Sequence, residues 1–207
     1  MYEPSEVKIN GISRCESCKK ECYLDNDINN ITLIFNYNID NCYLMFYNLN
    51  NIIEIDLSKF DAYKVTNMKN VLRDCIRLEK IKFGNINKSS LNNMYGCRLS
   101  SIDLSNFGAS QVTNMEYMFY KCNYLKSINL SNFNTSLIKS MNNVFSCCNQ
   151  LLELNLSNYN TFQVTIMGYI LYEYNNLKYL DLSNFDTPNI ESINQMFYNC
   201  RTLINHI

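Results

Sequence analysis

Hydrophobic and polar positions in this chain recur on a long beat. The clearest stretch runs LSNFGASQVTNMEYMFYKCNYLKSIN, from Leu104 to Asn129. The leucine of its D/N-L-S step returns at Leu57, Leu104, Leu130, Leu156 and Leu182, with Phe83 in the same slot of a degenerate copy. The spacings are 26, 21, 26, 26 and 26 residues. A fixed period in this range predicts stacked units, each burying its apolar face only against its neighbours.

Two shorter patterns alternate within a unit. Leu177-x-x-Leu180-x-Leu182 alternates as a strand does, and Leu99/Ile102/Leu104, Leu125/Ile128/Leu130 and Leu151/Leu154/Leu156 repeat it. Turn formers follow, such as Ser183-Asn184 and Asp186-Thr187. Then Val112, Met115, Met118/Phe119, Cys122 and Leu125 fall three or four apart, the spacing of one helix face. The same spacing recurs at Ile138, Met141, Val144/Phe145 and Cys148. The pattern predicts strand, turn and short helix in each unit, with parallel strands joined by right-handed crossovers.

The expected domains are an N-terminal cap over residues 1–30 and a repeat region over 31–207. The run ITLIF at 31–35 reads as the strand of a divergent first unit. From Phe83 to Leu104 the repeat loses five residues, four of them between Met94 and Cys97, where Gly96 suits a tight turn. A local dent is expected near 90–97. The register stops mid-strand at Ile207, so further repeats or a cap are expected beyond it.

The repeats resemble the BspA-like leucine-rich-repeat surface proteins, a family of 26-residue repeats. The matching text is LKYLDLSNFDTPNIESINQMFYNC (Leu177–Cys200) and SIDLSNFGASQVTNMEYMFYKC (Ser101–Cys122). The fold expectation is therefore an α/β repeat: a right-handed leucine-rich-repeat-like solenoid of about seven strand-turn-short-helix coils with one parallel sheet. The resemblance implies surface exposure, adhesion or protein binding, and no enzymatic activity. It does not carry over the asparagine ladder of ordinary leucine-rich repeats, because Asn184 and its equivalents sit one residue early.

Composition narrows the function classes. The net charge is −1 and the basic residues are scattered, which gives no footprint for nucleic acid or an anionic membrane. No stretch approaches the ~18 apolar residues of a membrane span. The start, MYEPSEVKIN, lacks the basic and apolar regions of a secretion signal, so a cytoplasmic location stands as the alternative to surface display. Asparagine, at about one residue in six, is codon-biased enough to be discounted as a signal. Catalysis finds no support: the single histidine, His206, has no partner at a meaningful spacing, and no glycine-rich phosphate loop exists.

Two cysteine groups need separate readings. Cys75, Cys97, Cys122, Cys148 and Cys200 recur once per unit on the apolar face, as buried thiols would. Cys15, Cys18 and Cys22 have spacing that suits a weak metal site, a capping disulfide or free thiols. Only three ligands are local, so no metal or other cofactor is expected.

The candidate ligand-binding residues flank the buried strand position and point outward by alternation. They are Glu54, Asp56, Lys80, Lys82, Asp103, Ser105, Asn129, Ser131, Glu153, Asn155, Tyr179 and Asp181. As a concave strip they would suit a polar protein or glycan. The tyrosines around the second half of each unit mark a rival face. The functional expectation is a non-enzymatic, surface-displayed binding module for adhesion or protein and glycan recognition. The alternative is an intracellular or envelope scaffold for protein assembly.

Overall fold

A computed structural model describes residues 4–10, 12–13, 30–36, 38–61, 64–84, 94–105, 112–133 and 135–203. The chain divides into two compact units, Met1–Asp40 and Asn41–Ile207. In the first, β1 (Glu6–Ile9) pairs antiparallel with both β2 (Ile12–Ser13) and β3 (Ile31–Ile34). The ITLIF run is thus a strand, and its partner is β1, with Val7 opposite Leu33.

The second unit holds β4 (Glu54–Leu57), β5 (Lys80–Phe83), β6 (Ser101–Asp103), β7 (Ser127–Asn129), β8 (Glu153–Asn155) and β9 (Tyr179–Asp181). They form three two-stranded parallel sheets, β4–β5, β6–β7 and β8–β9. The register follows the repeat, with Ile55 opposite Ile81, Ile102 opposite Ile128 and Leu154 opposite Leu180. A second line of contact joins Asn114, Ser140, Ile166 and Ser192 by successive parallel bridges.

The structure overturns the expected leucine-rich-repeat-like solenoid of strand-turn-short-helix coils with one parallel sheet. No helix is present among the described residues, and the strands lie in short separate pairs. The hydrogen bonds of the supposed helices give the physical reason. The N–H groups of Tyr117, Phe119 and Lys121 donate to Asn142, Val144 and Ser146 of the next unit, at 3.0, 2.9 and 3.0 Å. The N–H groups between them close tight turns: Met118 to Met115, Tyr120 to Tyr117 and Cys122 to Phe119, at 3.1, 3.3 and 3.0 Å. An α-helix would send each to the carbonyl four residues back.

Left-handed residues set this alternation. Tyr117 and Lys121 have φ of 58° and 56°, and the equivalents Asn143 and Cys147, Tyr169 and Glu173 repeat them. Each left-handed residue ends any right-handed run, and each non-glycine case carries about 1–2 kcal/mol of strain. Local sequence adds little resistance, because Asn, Tyr, Phe and Cys are indifferent helix formers and the segment is too short to hold a helix alone.

Burial nevertheless follows the spacing read from the sequence. Val112, Met115, Met118, Phe119, Cys122 and Leu125 are all buried, as are Ile138, Met141, Val144, Phe145 and Cys148. Phe119 stacks on Phe145 at 5.5 Å between ring centroids. Consecutive tight turns bring every third or fourth side chain inward, as a helix would.

The recurrent cysteines line this core as free thiols. The Sγ–H groups of Cys75, Cys97, Cys122, Cys148 and Cys200 donate to the carbonyls of Phe46, Leu72, Met94, Phe119 and Leu171 at 2.8–3.2 Å. Each bond reaches back one unit, so the thiols connect neighbours as well as fill space. Burial raises their pKa values, that of Cys148 to about 12, which keeps them protonated and unreactive.

Candidate recognition surface

Strand alternation places the candidate residues outward and in register. Glu54 lies opposite Lys80 and Asp56 opposite Lys82. Ser101 faces Ser127 and Asp103 faces Asn129. Glu153 faces Tyr179 and Asn155 faces Asp181. Side chains between them, such as Ile102 and Leu154, point into the core.

The two outward rows differ in what holds them. In the row at the strand ends, Asp56, Asp103, Asn129, Asn155 and Asp181 accept a bond on Oδ1 from the N–H of Ser58, Ser105, Ser131, Ser157 and Ser183, at 2.9–3.1 Å. These are Asx turns, which direct the chain out of each strand. The hydroxyl and amide of Ser58 hold Asp56 below the usual carboxylate range, and the amide and hydroxyl of Ser105 do the same for Asp103. The hydroxyl and amide of Ser183 lower Asp181 likewise. Part of the recognition strip is therefore turn machinery.

The earlier row behaves differently along its length. Lys82 bridges Glu54 at 3.1 Å and Asp56 at 3.3 Å, so the β4–β5 end of the strip neutralises itself. Lys80, Ser101, Ser127 and Glu153 are exposed. Tyr179 is 42 % exposed and its hydroxyl lies 3.5 Å from Asp181 Oδ2. These side chains are displayed on the surface without turns that depend on them.

A second surface column follows the tight turns, at the position of Tyr47, Arg73, Tyr95, Tyr120, Tyr172 and Tyr198, interrupted by the buried Ser146. The Arg73 guanidinium lies 5.9 Å from the rings of both Tyr47 and Tyr95. Tyr95 stacks on Tyr120 at 5.2 Å and Tyr172 on Tyr198 at 5.0 Å. Tyr120, Tyr172 and Tyr198 of this column are among the tyrosines that mark a rival face in the sequence. The column's sequence signal is an aromatic or cationic residue two before Cys75, Cys97, Cys122 and Cys200 and before Leu49 and Tyr174 in the same slot, with Ser146 before Cys148 as the exception.

Among the described residues, no group of three His, Cys, Asp or Glu side chains could hold a metal. The Cys15, Cys18 and Cys22 cluster lies outside the described residues. No helix among the described residues is long and apolar enough to cross a membrane.

The stacking period recurs through the described residues of the second unit, and a family model follows it. The model described as "Mycoplasma protein of unknown function, DUF285" matches residues 23–146 and, overlapping, 113–207. The chain belongs to the DUF285 family. No curated protein and no solved structure matches it. In DUF285 terms, the two overlapping matches cover the repeats from both ends, including the shortened unit between Phe83 and Leu104.

Proposed function

We propose that this DUF285 chain is a non-enzymatic binding module of the BspA-like kind, displayed at a cell surface and contacting a protein or glycan through its strand face. The observation that carries the reading is the row Lys80, Ser101, Ser127, Glu153 and Tyr179. These residues recur at equivalent strand positions, face solvent and range from Lys through Ser and Glu to Tyr, whereas their inward neighbours Ile81, Ile102, Ile128, Leu154 and Leu180 stay aliphatic. A backbone that fixes spacing while its outward side chains vary is the general design of repeat proteins that bind extended partners. The DUF285 match is compatible with membership of a repeat surface-protein family. Function nevertheless rests on the side chains of the site rather than on the repeat.

The experiment is an array of extracellular-matrix proteins and glycans probed with the wild-type chain and with a Glu153→Ala/Tyr179→Ala double variant. These positions leave the Asx turns intact, so the variant should fold normally while losing capture at least tenfold. Equal capture by both proteins would remove the strand face from consideration. Asp103, Asn129 and Asn155 are poor test positions, because replacing them also removes turn bonds.

A further inference from the structure

The shortened repeat creates a cleft where its neighbours have side chains. The second left-handed residue of each tight-turn segment is Asn48, Asp74, Gly96, Lys121, Cys147, Glu173 and Asn199 in successive units. Gly96, with φ of 74°, is the single member of this column without a side chain. Next to it opens a cleft of about 460 Å³, lined by Asp74, Tyr95, Arg98, Lys121, Asn123 and Tyr124 among others. The cleft is open to solvent along one side, so a ligand there would be held mainly by polar contacts.

The charges around this cleft are unbalanced. Asp74 is paired with Arg73 at 3.3 Å. Arg98 and Lys121 form no salt bridge with a described residue, and both are exposed. They rest instead on aromatic rings: Arg98 at 4.6 Å from Tyr124, and Lys121 at 5.7 and 5.3 Å from Tyr95 and Tyr120. Contact with tyrosine faces holds both exposed cations beside the cleft, and Lys121 also bonds the Tyr95 hydroxyl. The site is cationic in a chain whose overall charge is −1.

The remaining lining narrows the ligand class. Asp74, whose Oδ2 is held by Arg73, keeps Oδ1 beside Gly96 as an acceptor for hydroxyls. A ligand that carries one acid together with several hydroxyls meets both signs. Its carboxylate would satisfy the cations, and its hydroxyls would donate to Asp74 and exchange bonds with Asn123 and the tyrosine hydroxyls.

We propose that the cleft at Gly96 binds a carboxylate-bearing sugar residue, of the uronic or sialic acid type, with Arg98 and Lys121 taking the carboxylate and Asp74 and Asn123 the hydroxyls. This site is separate from the strand face, and its occupancy does not depend on that reading.

The test is an amide-shift NMR titration of the whole chain with galacturonate, with N-acetylneuraminate and with neutral galactose. One or both acids should bind at least about tenfold more tightly than galactose, since a charge-assisted contact is worth that factor or more. Binding should weaken as salt is raised. Gly96→Asn fills the cleft with a residue that tolerates positive φ, as Asn48 and Asn199 do in the same column. It should lower affinity about tenfold with the fold retained. Arg98→Gln should do the same without touching the backbone, whereas the Glu153→Ala/Tyr179→Ala variant should bind normally. Equal or absent binding of acids and galactose, or full binding by Arg98→Gln, would overturn the assignment.

Discussion

Replacing Cys122 with Asp probes the packing of the stack most sharply. Cys122 is fully buried, and its thiol donates to the Met94 carbonyl at 3.2 Å. Aspartate at this site must either be buried as an unpaired ion or take up a proton. Holding it neutral at pH 7 means lifting its pKa by at least three units from about 3.9, which destabilises the fold by about 4 kcal/mol. That is a large part of the 5–15 kcal/mol typical of folded domains. The sign is specific. A carboxyl whose folded pKa is raised imposes no penalty below its unfolded value, and the penalty grows as pH rises above it. The gap between variant and wild type should therefore be wide at pH 7 and close towards pH 4. Acid effects common to both proteins cancel in that difference. Urea unfolding followed by tyrosine fluorescence reads it, since the chain has no tryptophan. Cys122→Ser keeps a donor for Met94 and should lose no more than about 1.5 kcal/mol. A pH-independent gap, or a Cys122→Asp variant as stable as wild type, would refute the burial of this column.

Three further outcomes follow from the same contacts. Gly84→Ala should destabilise by about 1–3 kcal/mol in thermal melts, because a Cβ there would lie 2.8 Å from the Ser58 carbonyl oxygen. Tyr159 is buried and its hydroxyl has no hydrogen-bond partner among the described residues. Tyr159→Phe should therefore be neutral or stabilising, by up to about 1–3 kcal/mol in urea unfolding. The carboxylates of Asp56, Asp103 and Asp181 are depressed by their serine partners. Their contribution is present above about pH 4 and lost as pH falls through the lower folded values, so an Asp103→Asn variant should show a shallower acid transition.

Much of this architecture was written in the hydrophobic spacing, and the part that was not has an identifiable cause. The outward and inward strand positions around Ile102 and Leu154 follow from simple alternation, and the period gives the register of the parallel pairs. The three-and-four spacing reads as helical although the segments are not, because tight turns with left-handed residues bury the same positions that a helix buries. Nothing in Tyr117, Lys121 or Leu44 advertises a left-handed backbone, which the stack imposes through bonds to the next unit. Asparagine carried more information than codon bias suggests. Asn48, Asn70, Asn143 and Asn199 occupy left-handed positions, and Asn41, Asn67 and Asn114 accept Asx-turn bonds. Asn176 and Asn189 donate to the carbonyls of Asn149 and Phe162 one unit back, each at 2.7 Å. Asn184 does the same to Ser157. Of the candidate surface, the exposed strand row was legible from alternation. The Gly96 cleft was foreshadowed only by the missing residues of its repeat, since Lys121 has no cationic equivalent in the other units and Arg98 only Arg201.

Alternate backbone N–H groups of the 115–122 segment, those of Tyr117, Phe119 and Lys121, bond to the next unit rather than along a helix. Through-hydrogen-bond scalar couplings on isotope-labelled protein report it directly at the Phe119 amide. The account predicts a coupling from Phe119 N to the Val144 carbonyl carbon, whose oxygen lies 2.9 Å away. A coupling to the Met115 carbonyl carbon, four residues back, would contradict it and restore the helix.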